Sequence, residues 1–246
     1  MCVIAIAYRA SARYPLIVAA NRDESHTRPT AEAAWWADHP GVLGGRDLEA
    51  GGTWLAVDRG GRLAAVTNLR DSERPPAPGA RSRGGLVSGF LTGSENAAAF
   101  LARIEPQAAA YGPFNLLLYD GRELHYASNR TQSRALGDGV HAFSNALPEE
   151  PWPKVVRARE GLQALLDTRE PAEELFALLA EEGPEVEDAD RRRASLFQRD
   201  RWWGTRCSTV VLMDRSGRLT FVERRFDSEG RWSGEDSYAF GPGRPA

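Results

Sequence analysis

Cysteine stands at position 2, directly after Met1. A small second residue permits removal of an initiator methionine, so the expected mature chain begins with Cys2. A terminal cysteine joins a thiol and a primary amine on one residue. The sulfur can attack a carbonyl while the amine moves the proton, as N-terminal threonine enzymes do with their hydroxyl. An unperturbed thiol titrates at about 8.5 and an α-amine at about 7.7–8.0, both near neutrality. The competing reading is structural: Val3-Ile4-Ala5-Ile6-Ala7 follows, and a free cysteine packs as a small hydrophobe.

Other polar residues are spaced so that they can meet Cys2. Asn21-Arg22-Asp23-Glu24 follows the second apolar run. An arginine near a thiol favours the thiolate, and a carboxylate can hold an α-ammonium; the plain alternative is a polar turn. Asn68 and Asn145 each end an expected strand, where an amide can donate to the oxyanion formed when a thiolate attacks a carbonyl. Each by itself fits a turn equally well. Arg206 opens a late strand within Gly204-Thr205-Arg206-Cys207-Ser208-Thr209, with Asp23 or Glu24 as a possible partner and a surface position as the alternative. Gly44-Gly45-Arg46-Asp47 and Gly51-Gly52-Thr53-Trp54 bracket a short loop. Neither matches a Walker or Rossmann pattern, so the loop is expected to be structural, with Trp54 as the wall of a site. The four histidines lack metal-ligand spacing and there is no Cys-x-x-Cys, so no metal is expected. No G-x-S-x-G elbow is present either.

The elements that would position these residues follow from apolar runs and turn signals. Hairpins are expected from Cys2–Tyr8 with Leu16–Ala20, Trp54–Val57 with Leu63–Thr67, and Phe114–Tyr119 with Glu123–Ala127, the last turning at Asp120-Gly121. Val140–Ser144, Ser208–Met213 and Leu219–Glu223 complete the strands. Helices are expected over Leu86–Leu91, Ala97–Ile104 with Ser94 as N-cap, Val155–Leu166, and Ala172–Glu182 after Pro171. Hairpins separated by helix blocks point to antiparallel sheets covered by helices rather than βαβ units. Glu181–Arg193 reads as an exposed connection or solvated helix, and the Gly-, Pro- and Ser-rich residues from about 230 as a loose tail. At 246 residues a single domain is expected. The net charge of −3 gives no footprint for nucleic acid. Two cysteines make no disulfide framework, and no run approaches the roughly 18 apolar residues of a membrane span. The first apolar run lacks the basic flank of a signal peptide, so a cytoplasmic protein is expected. Lys154 is the single lysine; the remaining basic residues are arginines.

As a set, Met1-Cys2, Asn21-Arg22-Asp23-Glu24, Gly44-Gly45-Arg46-Asp47, Gly51-Gly52-Thr53-Trp54, Thr67-Asn68-Leu69-Arg70, Ser82-Arg83-Gly84, Asn115, Ser144-Asn145, Trp152-Pro153-Lys154 and Gly204-Thr205-Arg206 span nearly the whole chain. In that order they resemble the NRDE family, also called Transport and Golgi organization 2. The resemblance implies an N-terminal nucleophile hydrolase fold, α+β, a four-layer αββα sandwich of two antiparallel sheets. More distantly the chain is similar to bile salt hydrolases, penicillin V acylases and acid ceramidase, which also begin with a catalytic cysteine. That likeness implies catalytic roles for Cys2, Arg22, Asp23, Asn68, Asn145 and Arg206. Asn21, Glu24, Trp54 and Arg70 stand as candidate substrate contacts. The order Asn21-Arg22-Asp23-Glu24 differs from the Arg-Asn-x-Asp of those enzymes, leaving open which carboxylate holds the terminal amine. The implied activity is hydrolysis of a non-peptide amide C–N bond in a small acylated compound, with no cofactor. The alternative is a carrier of haem or lipid as apolar cargo.

Overall fold

The computed structural model of the chain describes residues 2–70, 79–183 and 192–241. By internal contacts the chain divides into two compact units, one of Met1–Thr27 with Asp138–Gly241 and one built on Arg28–Gly137. The first unit holds strands β1 (Val3–Tyr8), β2 (Leu16–Ser25), β10 (Gly139–Phe143), β11 (Trp203–Met213), β12 (Leu219–Phe226) and β13 (Trp232–Phe240), with helices α3 (Pro153–Ala164) and α4 (Pro171–Leu179). The second holds β3 (Thr30–Trp35), β4 (Val42–Asp47), β5 (Leu55–Asp58), β6 (Leu63–Asn68), β7 (Phe114–Tyr119), β8 (Leu124–Ser128) and β9 (Arg134–Leu136), with α1 (Gly84–Leu91) and α2 (Ala97–Ile104).

In the first unit six antiparallel strands lie in the order β10-β1-β2-β11-β12-β13. Alternate residues of a strand share a face. Val3, Ala5 and Ala7 of β1, Ile17 and Ala19 of β2, and Val210 and Leu212 of β11 therefore meet the helices on one side. There they pack with Val155, Ala158 and Leu162 of α3 and Leu175, Phe176 and Leu179 of α4. The three α3 positions recur at helical spacing and form its apolar stripe. Each large side chain so buried contributes about 1.5–3 kcal/mol. Pro153 and Pro171 open the two helices, where a missing N–H costs nothing.

In the second unit the seven strands follow sequence order, β3 to β9, all antiparallel. Leu86, Val87, Phe90 and Leu91 of α1 and Phe100 and Leu101 of α2 pack on Ala56, Ala64, Val66, Leu116 and Leu118. Arg62 fastens the end of α1: its Nε donates to Asp58 Oδ2 at 2.6 Å, while Nη2 donates to the carbonyls of Leu91 at 2.9 Å and Gly93 at 2.7 Å. A cation on the last carbonyls of a helix is favoured by the helix dipole. No helix among the described residues is long and apolar enough to cross a membrane.

Several expectations change. Asn21-Arg22-Asp23-Glu24 is strand, not turn: β2 continues to Ser25 because β11 pairs alongside it as far as Trp203. Within the expected loose tail, residues 232–240 are instead a strand, while 242–246 lie outside the described residues. Trp232–Phe240 pairs with β12, supported by Arg224 Nε donating to Glu235 at 2.7 Å and by the Arg225–Asp236 ion pair. The N-cap of α2 is Asn96, whose side chain accepts from the Ala99 amide, rather than Ser94. The stretch Glu181–Arg193 falls largely on 184–191, outside the described residues.

Candidate active site

The pairing of β1 with β2 puts Val3 opposite Asn21, so Cys2, one residue earlier, comes beside Arg22 and Asp23. Cys2 is half-buried, and its Sγ lies 3.7 Å from the Asp23 carbonyl oxygen. From the end of β10, Ser144 Oγ donates to the Cys2 carbonyl at 2.6 Å and lies 3.3 Å from Asn145 Oδ1. Asn145 is buried. Cys2, Asp23, Ser144 and Asn145 thus converge at one end of the sheet.

Strand alternation splits the four residues of β2. Asn21 and Asp23 share the face of Ile17 and Ala19, toward the helices, whereas Arg22 and Glu24 take the opposite face. Asn21 Nδ2 donates to the carbonyls of Leu179 at 2.8 Å and Leu196 at 3.0 Å, and its Oδ1 accepts from Ser208 Oγ at 2.6 Å. These bonds tie β2 to the end of α4, to Leu196 and to β11. Asp23 Oδ1 accepts from Thr205 Oγ1 at 2.7 Å, and Oδ2 lies 3.9 Å from Lys154 Nζ. Neither the Asp23 nor the Lys154 side chain has any solvent exposure.

Arg22 is buried and paired in register with Cys207, whose thiol is pushed well above its ordinary range, first by burial and then by Glu223. Cys2 and Cys207 sit on strands separated by β2, about 9–10 Å at ordinary strand spacing, beyond the roughly 7 Å limit for a disulfide. Both are free thiols. Arg206 occupies a bulge between Thr205 and Cys207. Its Nη1 donates to the carbonyls of Ser25 at 2.8 Å and His26 at 3.3 Å. Burial, and then the neighbouring Arg22, lower its pKa, against the pull of Cys207 and Glu24. Glu24 Oε1 accepts from the Ser25 amide at 2.8 Å. Of the two carboxylates, it is Asp23 that shares Lys154 with Cys2: both act on the lysine electrostatically.

Asn68, Trp54 and Arg70 belong to the second unit. Asn68 ends β6 and is exposed, as is Arg70 just beyond it. Trp54 lies against Gly45, where a Cβ would overlap its ring, so Gly45 makes room for the indole while Gly44 admits Leu55 and Ala56 of the next strand. Among the described residues no three His, Cys, Asp or Glu side chains are grouped as metal ligands. Three residues that sequence reasoning did not assign to the site are Ser144, Thr205 and Lys154. For Lys154 the signal was its singularity in a chain otherwise reliant on arginine.

The family model described as Transport and Golgi organisation 2 matches residues 1–228. The chain belongs to the Transport and Golgi organisation 2 family. Its relatives include the Transport and Golgi organization 2 homolog of Mus musculus, 32% identical, and the protein 2 homolog of Homo sapiens, 35% identical, each covering 86% of both chains. The Drosophila melanogaster Transport and Golgi organization protein 2 is 27% identical, covering 89% of this chain and 90% of its own. Among solved structures, the Caenorhabditis elegans N-acylethanolamine-hydrolyzing acid amidase ortholog superposes with a TM-score of 0.52 at 10% identity, covering 86% of this chain and 92% of that chain. That likeness extends to the fold. This family member therefore has the α+β, two-sheet architecture of the N-terminal nucleophile hydrolases, as the motif set implied.

Proposed function

We propose that this protein is a hydrolase with Cys2 as N-terminal nucleophile, cleaving a non-peptide amide C–N bond of a small acylated compound. The observation that carries the reading is the convergence on Cys2 of the buried Asp23 and of Ser144-Asn145. Once Met1 is removed, the α-amine accepts the Sγ proton and the sulfur adds to the carbonyl carbon. The Asn145 side chain donates to the resulting oxyanion; loss of one such donor is benchmarked at about 2.7–4 kcal/mol. Collapse expels the amine, which takes the proton from the α-ammonium, and leaves an acyl-thioester that water hydrolyses with return of the thiol. Arg22 on the neighbouring strand favours thiolate, and Asp23 orients the terminus. The reaction so written needs no cofactor, and we place it in the cytoplasm, where free thiols stay reduced. Support for the bond type comes from the Caenorhabditis elegans protein of like fold, an N-acylethanolamine-hydrolyzing acid amidase ortholog.

A second reading, carriage of an apolar cargo such as haem or lipid, draws on a cleft of about 390 Å³ in the first unit. Phe176, Phe226 and Trp232 line it, with Trp232 66% exposed. Intact-protein mass spectra before and after mild alkylation, for wild type and Cys2→Ala, separate the two. The hydrolase reading expects Met1 absent, Cys2 labelled quickly near neutral pH while Cys207 stays inert, and an acyl adduct on Cys2 after incubation with N-acyl amides. Retained Met1, or a Cys2 no more reactive than Cys207, would sink it and favour cargo binding, measured by haem and fatty-acid titration.

A further inference from the structure

Lys154 is the only lysine in the chain, and it stands where an ammonium is hardest to keep. As the second residue of α3 it faces the positive end of the helix dipole. It is closed to solvent, and burying a charge costs several kcal/mol unless a partner offsets it, by order of magnitude about the same for each ion. That partner is Asp23 Oδ2 at 3.9 Å, equally closed to solvent. The Trp152 ring lies beside the ammonium, its centroid 5.9 Å from Nζ. Burial pushes the Lys154 ammonium below the ordinary lysine range, while Asp23 first and Cys2 second pull it back. A guanidinium would stay charged in that position, whereas an amine can be tuned.

Arg193 stacks on the same Trp152 ring, its guanidinium carbon 5.6 Å from the centroid; other titratable groups around α3 turn elsewhere. Tyr8 of β1 and His141 of β10 share the face of Ile6, opposite the helices. On α4, Glu173 pairs with Arg224 at 2.5 Å and Glu174 accepts from Thr168. On α3 itself Arg157 donates to the Ala194 carbonyl. Asp23 and Cys2 are the groups whose charge acts on Lys154.

Resting on the hydrolase reading, we propose that Lys154 is a positioning residue for Cys2: paired with Asp23, it balances the carboxylate and so sets the acidity of the nucleophile. A terminal amine beside a buried, unbalanced carboxylate would be held as ammonium and could not accept the thiol proton. A thiolate on Cys2, which together with Asp23 acts on Lys154, would lose the attraction of the lysine's positive charge. With the carboxylate balanced, the S–H bond breaks and the N–H bond forms within Cys2 alone, with no further reactant.

The test is the rate of Cys2 alkylation by iodoacetamide as a function of pH, read by intact mass, in wild type, Lys154→Met and the double variant D23N/K154M. Lys154→Met is expected to raise the midpoint by about one pH unit or more, close to tenfold slower labelling below it. The double variant is expected to return toward wild type, because the carboxylate's charge leaves with the lysine's. A second readout needs no change at position 154. Feeding lysine labelled with carbon-13 at Cε gives one resonance, since there is one lysine, and it should step with the Cys2 midpoint and lose that step in Cys2→Ala. An unmoved midpoint in folded Lys154→Met, or a Cε resonance flat across the Cys2 titration, overturns the proposal. A coupled Cε step in a protein that forms no acyl-thioester sinks the hydrolase reading and leaves the Lys154–Cys2 coupling standing. An acyl-thioester with a flat Cε resonance does the reverse.

Discussion

The same dipeptide, Arg-Asp, occurs on a strand in each unit, as Arg22-Asp23 on β2 and as Arg46-Asp47 on β4. Their surroundings differ in kind. β2 has β1 and β11 on its two sides within a six-stranded sheet, and Asp23 meets Thr205 and Lys154 with no access to water. β4 lies next to an edge, and Asp47 is partly open to solvent. Arg28 Nε donates to it at 2.8 Å, and its Oδ1 accepts from the amides of Glu49 and Ala50 at 3.0 and 3.1 Å. Arg46 pairs with exposed Asp38 at 2.7 Å and stacks on Trp36. The second-unit pair is thus accounted for by turn formation and surface pairing. In the first-unit pair Asp23 instead keeps its carboxylate closed to solvent, against Thr205 and the equally buried Lys154, an arrangement that burial alone makes costly.

That contrast can be broken most severely at Asp23. Asp23→Ala leaves the Lys154 ammonium buried without its carboxylate, and urea unfolding is expected to show a loss of about 3–5 kcal/mol. A loss no larger than that of a surface carboxylate would erase the distinction. Gly45→Ala comes next: its Cβ would overlap Trp54 and crowd the Ala31 carbonyl at 3.0 Å. Overpacking of this sort costs about 1–3 kcal/mol, measured in the same way, and Cys2 alkylation should be unchanged. Asp47→Ala should cost least, about 1 kcal/mol after solvent screening. Its pH dependence has a definite sign. Burial pushes the Asp47 carboxyl up, but the Arg28 hydrogen bond and then the Ala50 amide outweigh it, leaving it below the ordinary carboxylate range. The stability it confers is therefore present above the unfolded value of about 3.9 and lost as pH falls through the lower folded value. Wild type and Asp47→Ala should converge in melting temperature only in that acid window; convergence near neutral pH would contradict the assignment.

Much of the fold was legible. Three hairpins and four helices declared themselves through apolar runs, Asp-Gly turns and helix-starting prolines, with boundaries off by a residue or a few. The strands that escaped notice were β3, β4, β9 and β13. Thr30–Trp35 and Trp232–Phe240 carry too many polar residues to read as apolar runs, and in each sheet they lie at an edge, where a strand needs less apolar surface. Asn21-Arg22-Asp23-Glu24 lay beyond the apolar run expected as a strand, with a polar turn as the alternative reading. It becomes strand because Thr205 and Ser208 on β11 and Lys154 on α3 supply its partners.

The sequence by itself determined the family, the helix and hairpin pattern, and the residue types placed for chemistry, since these depend on local order and on motifs kept along one chain. Only the tertiary structure decided which of those residues meet. A single-residue bulge set Thr205 rather than Arg206 opposite Asp23, where its hydroxyl donates to the carboxylate. Strand alternation divided Asn21 and Asp23 from Arg22 and Glu24, and the burial of α3 against β1 brought the lone lysine to the same carboxylate. Partners separated by more than a hundred residues are chosen by register and packing, and no local pattern encodes a register.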